Sequence, residues 1–113
     1  MSTTMKTYKG KRLENGNYAS DNIITVDGVA FEPLMLEKSL KVQFHSPTGF
    51  SWGYGGSGPH QLALAILMHS NNNEIAKKCH HQFVIDYVCK WKDEWQITDE
   101  DIQKWLDERV GVE

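Results

Sequence analysis

The residues best suited to chemistry lie in the middle of the chain. Gly53-Tyr54-Gly55-Gly56-Ser57-Gly58 is a glycine-rich loop, and His45 and His60 bracket it. Glycines let backbone N–H groups come close to a ligand, and a helix starting just after them adds positive partial charge. The pattern therefore fits an anion site holding a phosphate, a carboxylate or a nucleotide. Its expected contributors are Trp52, Tyr54, Gly55, Gly56, Ser57, Gly58 and His60. Trp52 or Tyr54 would supply a wall for a base to stack on. The alternative is that the glycines only let the chain pass tightly against a buried helix and bind nothing. If there is catalysis, His45 and His60 are the acid–base candidates.

Stronger signatures are absent. The loop matches G-x-G-x-x-G, but no parallel βαβ unit surrounds it and no later strand carries an acidic ribose ligand. Pro59-His60 stands where a Walker A loop needs Lys-Ser/Thr, and proline replaces the second glycine of a serine nucleophile elbow. The five histidines show no H-x-x-x-H or H-E-x-x-H spacing. His80 and His81 point about 100° apart on a helix, which disfavours a shared ion. No metal and no cofactor are expected.

The elements that must position these residues read as strands first and helices after. Residues 6–13 suit a first strand, and Asn15-Gly16 a turn. The runs IITV and VAFE flank Asp27-Gly28, a type I′ hairpin signal over 23–32 that Pro33 should end. Leu36, Leu40 and Phe44 suit a helix, while Leu40, Val42 and Phe44 suit a strand; a loop followed by a strand at 39–44 is favoured. A turn at 45–49 precedes a short strand from Phe50 to Tyr54. A helix at 59–69 opens on Pro59, and its run LALAILM is apolar on every side. Such a helix must be buried all round, Leu64 and Ile66 included. A second helix over 74–91 carries Ile75, Cys79, Phe83, Tyr87 and Trp91 in one stripe, with Asn72 as its N-cap. Trp95 and Ile97 fall in a connector. Thr98 and Asp101 resemble a capping box opening a third helix at 99–109. The expected fold is α+β: a small N-terminal antiparallel sheet packed on about three C-terminal helices.

Composition narrows the class. A chain of 113 residues is one domain by size, assigned here to 6–113 behind a flexible tail at 1–5. No apolar run reaches the ~20 residues of a membrane helix, and the first residues lack the apolar middle of a secretory signal, so a cytoplasmic place is expected. The net charge of −3 disfavours duplex nucleic acid. Residues 1–14 carry a net +3, whereas residues 93–113 carry a net −6. That acidic end is either a solvated surface or a docking face for a basic partner, with Asp99, Glu100 and Asp107 as its contacts. Cys79 and Cys89 lie about 15 Å apart along one helix, too far to bridge each other.

The block HSPTGFSWGYGGSGPHQLALAIL at 45–67 resembles the signature of a domain-of-unknown-function family found in bacteria, their phages and mobile elements. Tyr8, Gly10 and the segment Ile24 to Gly28 are similar to its N-terminal part. Ser51 and His60 occupy positions that vary in the family, and 29–44 fits loosely. The resemblance implies no activity. It implies that the SPTGF and WGYGGSGP blocks form one unit, and its setting suggests host takeover or anti-defence.

The sequence thus favours a small non-enzymatic binding protein of phage or mobile-element type, placed in the bacterial host cell. Its partner would be a host protein or a phosphate-containing small ligand, with a homodimer left open. The alternative is a small enzyme acting on a nucleotide or phosphorylated substrate through His45 and His60.

Overall fold

The computed structural model describes residues 6–12, 22–32, 34–47 and 49–109. The expected tail at 1–5, the turn at Asn15-Gly16 and the break at Pro33 lie outside them, as does Thr48 in the turn at 45–49.

The fold is α+β. A four-stranded antiparallel sheet is built from β1 (Thr7–Arg12), β2 (Asn22–Val26), β3 (Val29–Ala30) and β4 (Glu94–Thr98), in the order β3-β2-β1-β4. The helices are α1 (Leu34–Val42), α2 (Ser57–Ser70), α3 (Asn73–Asp86) and α4 (Asp99–Arg109), with a 3-10 turn at Val88–Lys90.

Local chemistry accounts for several of these elements. Asp27 (φ 52°) and Gly28 (φ 82°) both take positive φ, as a type I′ hairpin requires. Asn72 caps α3 by accepting a hydrogen bond from the Ile75 N–H at 2.8 Å. Thr98 and Asp101 cap α4 reciprocally: the Asp101 N–H donates to Thr98 Oγ1 at 3.0 Å, and the Thr98 N–H to Asp101 Oδ2 at 3.1 Å. The run from Leu62 to Leu67 is fully buried, Leu64 and Ile66 included, so α2 is the centre of the core.

Five expectations are corrected. Residues 34–42 form a helix, not a loop leading into a strand. Met35 and Ser39, one turn apart, face inward, and α2 needs apolar cover on this side. Phe50 to Tyr54 is not a strand. Gly49 and Gly53 sit at φ 144° and 90°, which no strand residue adopts. Its hydrogen bonds form no ladder: Asn22 Nδ2 donates to the Phe50 carbonyl, Arg12 to the Trp52 carbonyl, and the Gly53 N–H to the Val88 carbonyl in the 3-10 turn. The connector at 94–98 is a strand, pairing with β1 so that Tyr8 faces Ile97 and Gly10 faces Trp95. Its alternating burial was visible in E-W-Q-I-T, but five residues alone do not show a partner so far away in sequence. The helix expected to reach Trp91 ends at Asp86, and the one expected to open at Pro59 begins at Ser57. Pro59 is thus the third helical residue, where an N–H still has no partner within the helix.

Candidate functional site

Gln61 organises the region around the loop. It stands in the first half of α2 and is fully buried. Its Oε1 accepts hydrogen bonds from the His45 N–H (2.7 Å) and the Ser46 N–H (2.9 Å). Its Nε2 donates to Ser39 Oγ (2.9 Å) and to the Gln43 carbonyl (3.0 Å). All four hydrogen-bonding positions of one amide are therefore used. They tie the end of α1 and the segment at 43–46 to α2, which places His45 against the helix pair. Sequence reasoning passed over Gln61 because a lone polar residue ahead of an apolar run reads as a surface position.

Four of the five histidines then meet. His60 lies in the first turns of α2, His80 and His81 lie on α3, and His45 comes from the tied segment. His60 Nδ1 is 2.8 Å from the Gly56 carbonyl, and His80 Nδ1 is 2.8 Å from the Ala76 carbonyl. A carbonyl only accepts, so both Nδ1 atoms carry the proton and both Nε2 atoms present a lone pair. In the neutral cluster His45 Nε2–H therefore donates to His80 Nε2 (3.0 Å), and His81 Nδ1–H donates to His60 Nε2 (2.9 Å). His80 and His81 do diverge, as expected on one helix, and each finds its own partner. The ring centroids of His45 and His60 are 5.5 Å apart, and those of His45 and His80 are 5.1 Å apart. No carboxylate hydrogen-bonds to any of the four among the described residues.

The loop is filled differently from the expected anion pocket. Trp52 is buried, so it is not a stacking wall. Its Nε1 donates to the Lys92 carbonyl, and its ring packs edge-on against Trp95 and under the Arg12 guanidinium. Tyr54 is half exposed and lies over the loop. A Cβ at Gly56 would come within 2.4 Å of the Tyr54 ring, and one at Gly58 within 2.8 Å of Ser51 Cβ. Those two glycines serve close packing. Gly55 has open space around it, and Ser57 is exposed. Of the expected ligand residues, the fold joins His60 to the histidine cluster and leaves Tyr54 and Gly55 on the open loop and Ser57 exposed at the first position of α2.

The acidic residues belong to another element. Asp99 and Glu100 open α4; Asp107 lies about two turns on and accepts a hydrogen bond from Gln103 Nε2 at 2.9 Å. Nearby, Asp86 takes the Trp105 indole N–H at 2.8 Å and Arg109 at 3.0 Å. A separate shallow hollow of about 530 Å³ lies on the sheet between Lys9, Lys11, Ile23, Glu94 and Gln96, and none of the four histidines lines it.

Burial holds three imidazoles below the ordinary histidine range. For His45 and His80 the neighbouring histidines add to the effect, and the backbone carbonyl of Ala76 opposes it at His80. For His69, Lys6 and Lys38 add to it and Asp27 opposes it. His69 is outside the cluster; its Nδ1 and the Tyr8 hydroxyl share a hydrogen bond at 2.8 Å, and burial pushes the tyrosine well up, so that the phenol keeps its proton. The unfolded chain regains ordinary histidines near pH ~6.5 and then binds more protons than the native state. Stability is therefore expected to be full above that value and to fall as the pH drops below it. Urea midpoints at pH 5.0 and 7.5 check this. His69→Gln should remove part of the difference, and equal midpoints in the wild type would contradict it.

The chain belongs to a family of unknown function, DUF6166, whose model matches residues 8–108. No curated protein and no solved structure matches it. No helix among the described residues is long and apolar enough to cross a membrane.

Proposed function

We propose that this chain is a small non-enzymatic binding protein, of phage or mobile-element type, whose recognition centre is the histidine cluster at the start of α2. The observation behind this reading is the meeting of His45, His60, His80 and His81 from three separate segments beside an open loop. A few convergent polar groups beside an open surface are the usual mark of a ligand site. A phosphate-containing small ligand suits the site better than a host protein, because the cluster adjoins the uncapped start of a helix.

The same surroundings argue against catalysis. The Ser46 hydroxyl is committed to the Gly49 carbonyl at 2.8 Å. The Cys79 thiol is buried and pushed up, which keeps it protonated. Neither of these two groups is thus a nucleophile paired with a base. The test is titration of the full chain with inorganic phosphate and with a nucleoside monophosphate, followed through the histidine ring signals. The rings of His60 and His81 are expected to shift saturably in the wild type, and the His81 ring is expected not to shift in His60→Gln. Silence of all four rings to both probes, with the acidic face tested separately by reversing Asp99, Glu100 and Asp107 to Lys, would move the recognition role to α4.

A further inference from the structure

We propose that the cluster is a divalent transition-metal site of the zinc type, with His45 Nε2 and His80 Nε2 as its first two ligands and His60 Nε2 as its third. This deepens the binding reading above and rests on it for the role of the site, though metal uptake is measurable without any further ligand.

Three observations lead there. The first is a distance. His45 Nε2 and His80 Nε2 are 3.0 Å apart. Two imidazole nitrogens on one tetrahedral zinc, each at about 2.0–2.1 Å, stand about 3.3 Å apart. The pair that now shares a proton would open by only a few tenths of an ångström to hold an ion.

The second is orientation. His60 and His80 each donate Nδ1–H to the carbonyl four residues back in their own helix, Gly56 and Ala76. A metal-binding histidine typically anchors its other ring nitrogen in this way, which fixes the tautomer and aims the Nε2 lone pair. His80 Nε2 is thereby presented to His45, whereas His60 Nε2 faces His81 and must turn to reach the same ion.

The third is ring spacing. Imidazoles sharing one tetrahedral ion have centroids about 5 Å apart. The centroid distances here are 5.1 Å for His45–His80, 5.5 Å for His45–His60 and 6.1 Å for His60–His80. As the side chains stand, no three of the described His, Cys, Asp and Glu residues enclose a metal position. The reason is local: His60 Nε2 is turned to His81 Nδ1. Taking up the ion therefore means exchanging the His81 hydrogen bond for the metal.

The protons balance without release. The ion replaces the proton between His45 and His80, and that proton moves to His45 Nδ1, leaving both rings neutral. Neutral imidazoles carry no charge to hold phosphate. A divalent ion with one position left open would supply that charge.

The experiment is calorimetric titration of the full chain with zinc chloride at pH 7.5, with ring signals followed in parallel. One equivalent is expected to bind and to move His45, His60 and His80. His45→Gln and His60→Gln, both at partly exposed positions, should weaken binding by about 100-fold or more, while His69→Gln leaves it unchanged. Absence of saturable one-to-one binding overturns the proposal. So does binding that survives in folded His45→Gln, or that is lost equally in His69→Gln. A nucleoside monophosphate is then added with and without zinc. Ring shifts by the nucleotide without any zinc binding would sink the metal site and keep the binding reading. Zinc binding with no nucleotide response would do the reverse.

Discussion

Leucine in place of Gln61 is expected to lower stability by roughly 3–5 kcal/mol. The position is fully buried in the apolar core helix, so hydrophobicity alone would call the change harmless. The hydrogen bonds decide otherwise. Leucine removes the acceptor of the His45 and Ser46 N–H groups and the donor to Ser39 Oγ and the Gln43 carbonyl. Leaving a buried polar group unpaired costs about 1–3 kcal/mol each, and some of these four regain water at the half-buried end. Glutamate should also destabilise: it keeps the acceptor for the two N–H groups but turns a second acceptor toward the Gln43 carbonyl. Urea unfolding measures both variants. The ring signals of His45 should shift in each, because the segment that carries it is untied from α2. A loss below ~1 kcal/mol in the leucine variant would mean that the four bonds add nothing net.

The second large effect is expected at Gly10, in the middle of β1. A Cβ there would fall 2.2 Å from Trp95 Nε1 and 2.3 Å from Cε2. Trp95 has nowhere to go. It stacks on Trp91 with centroids 3.9 Å apart and planes 11° apart, and Trp52 meets it edge-on at 5.5 Å. Its indole N–H has no acceptor among the described residues, where stacking and burial hold the ring. Gly10→Val should therefore cost about 3 kcal/mol or more, the upper part of the range for overpacking. The check is a double-mutant cycle with Trp95→Leu. The single changes should each destabilise, and the pair should cost clearly less than their sum, because the smaller residue makes room for the valine. Additive losses would place the strain elsewhere than between these two residues.

Both residues mark where reading the sequence stops. Local signals were sufficient for the hairpin at Asp27-Gly28, for α3 with its Asn72 cap, for α4 with its Thr98–Asp101 box, and for the burial of α2. Each depends on residues within a few positions of one another, where dihedral preference and apolar spacing act directly. The segment at 34–42 carried helical and alternating spacing together, and packing against α2 chose between them. Trp52 and Tyr54 read alike as exposed stacking rings, yet Gly49 and Gly53 bend the chain so that one is buried and the other covers the loop. His45, His60, His80 and His81 have no ligand spacing among them, because their meeting is made by three separate segments. What the sequence determined by itself was the set of elements and the helix that forms the core. Only the tertiary structure decided which side chains face one another, since a contact between distant residues leaves no periodic trace and exists only once the helices have packed.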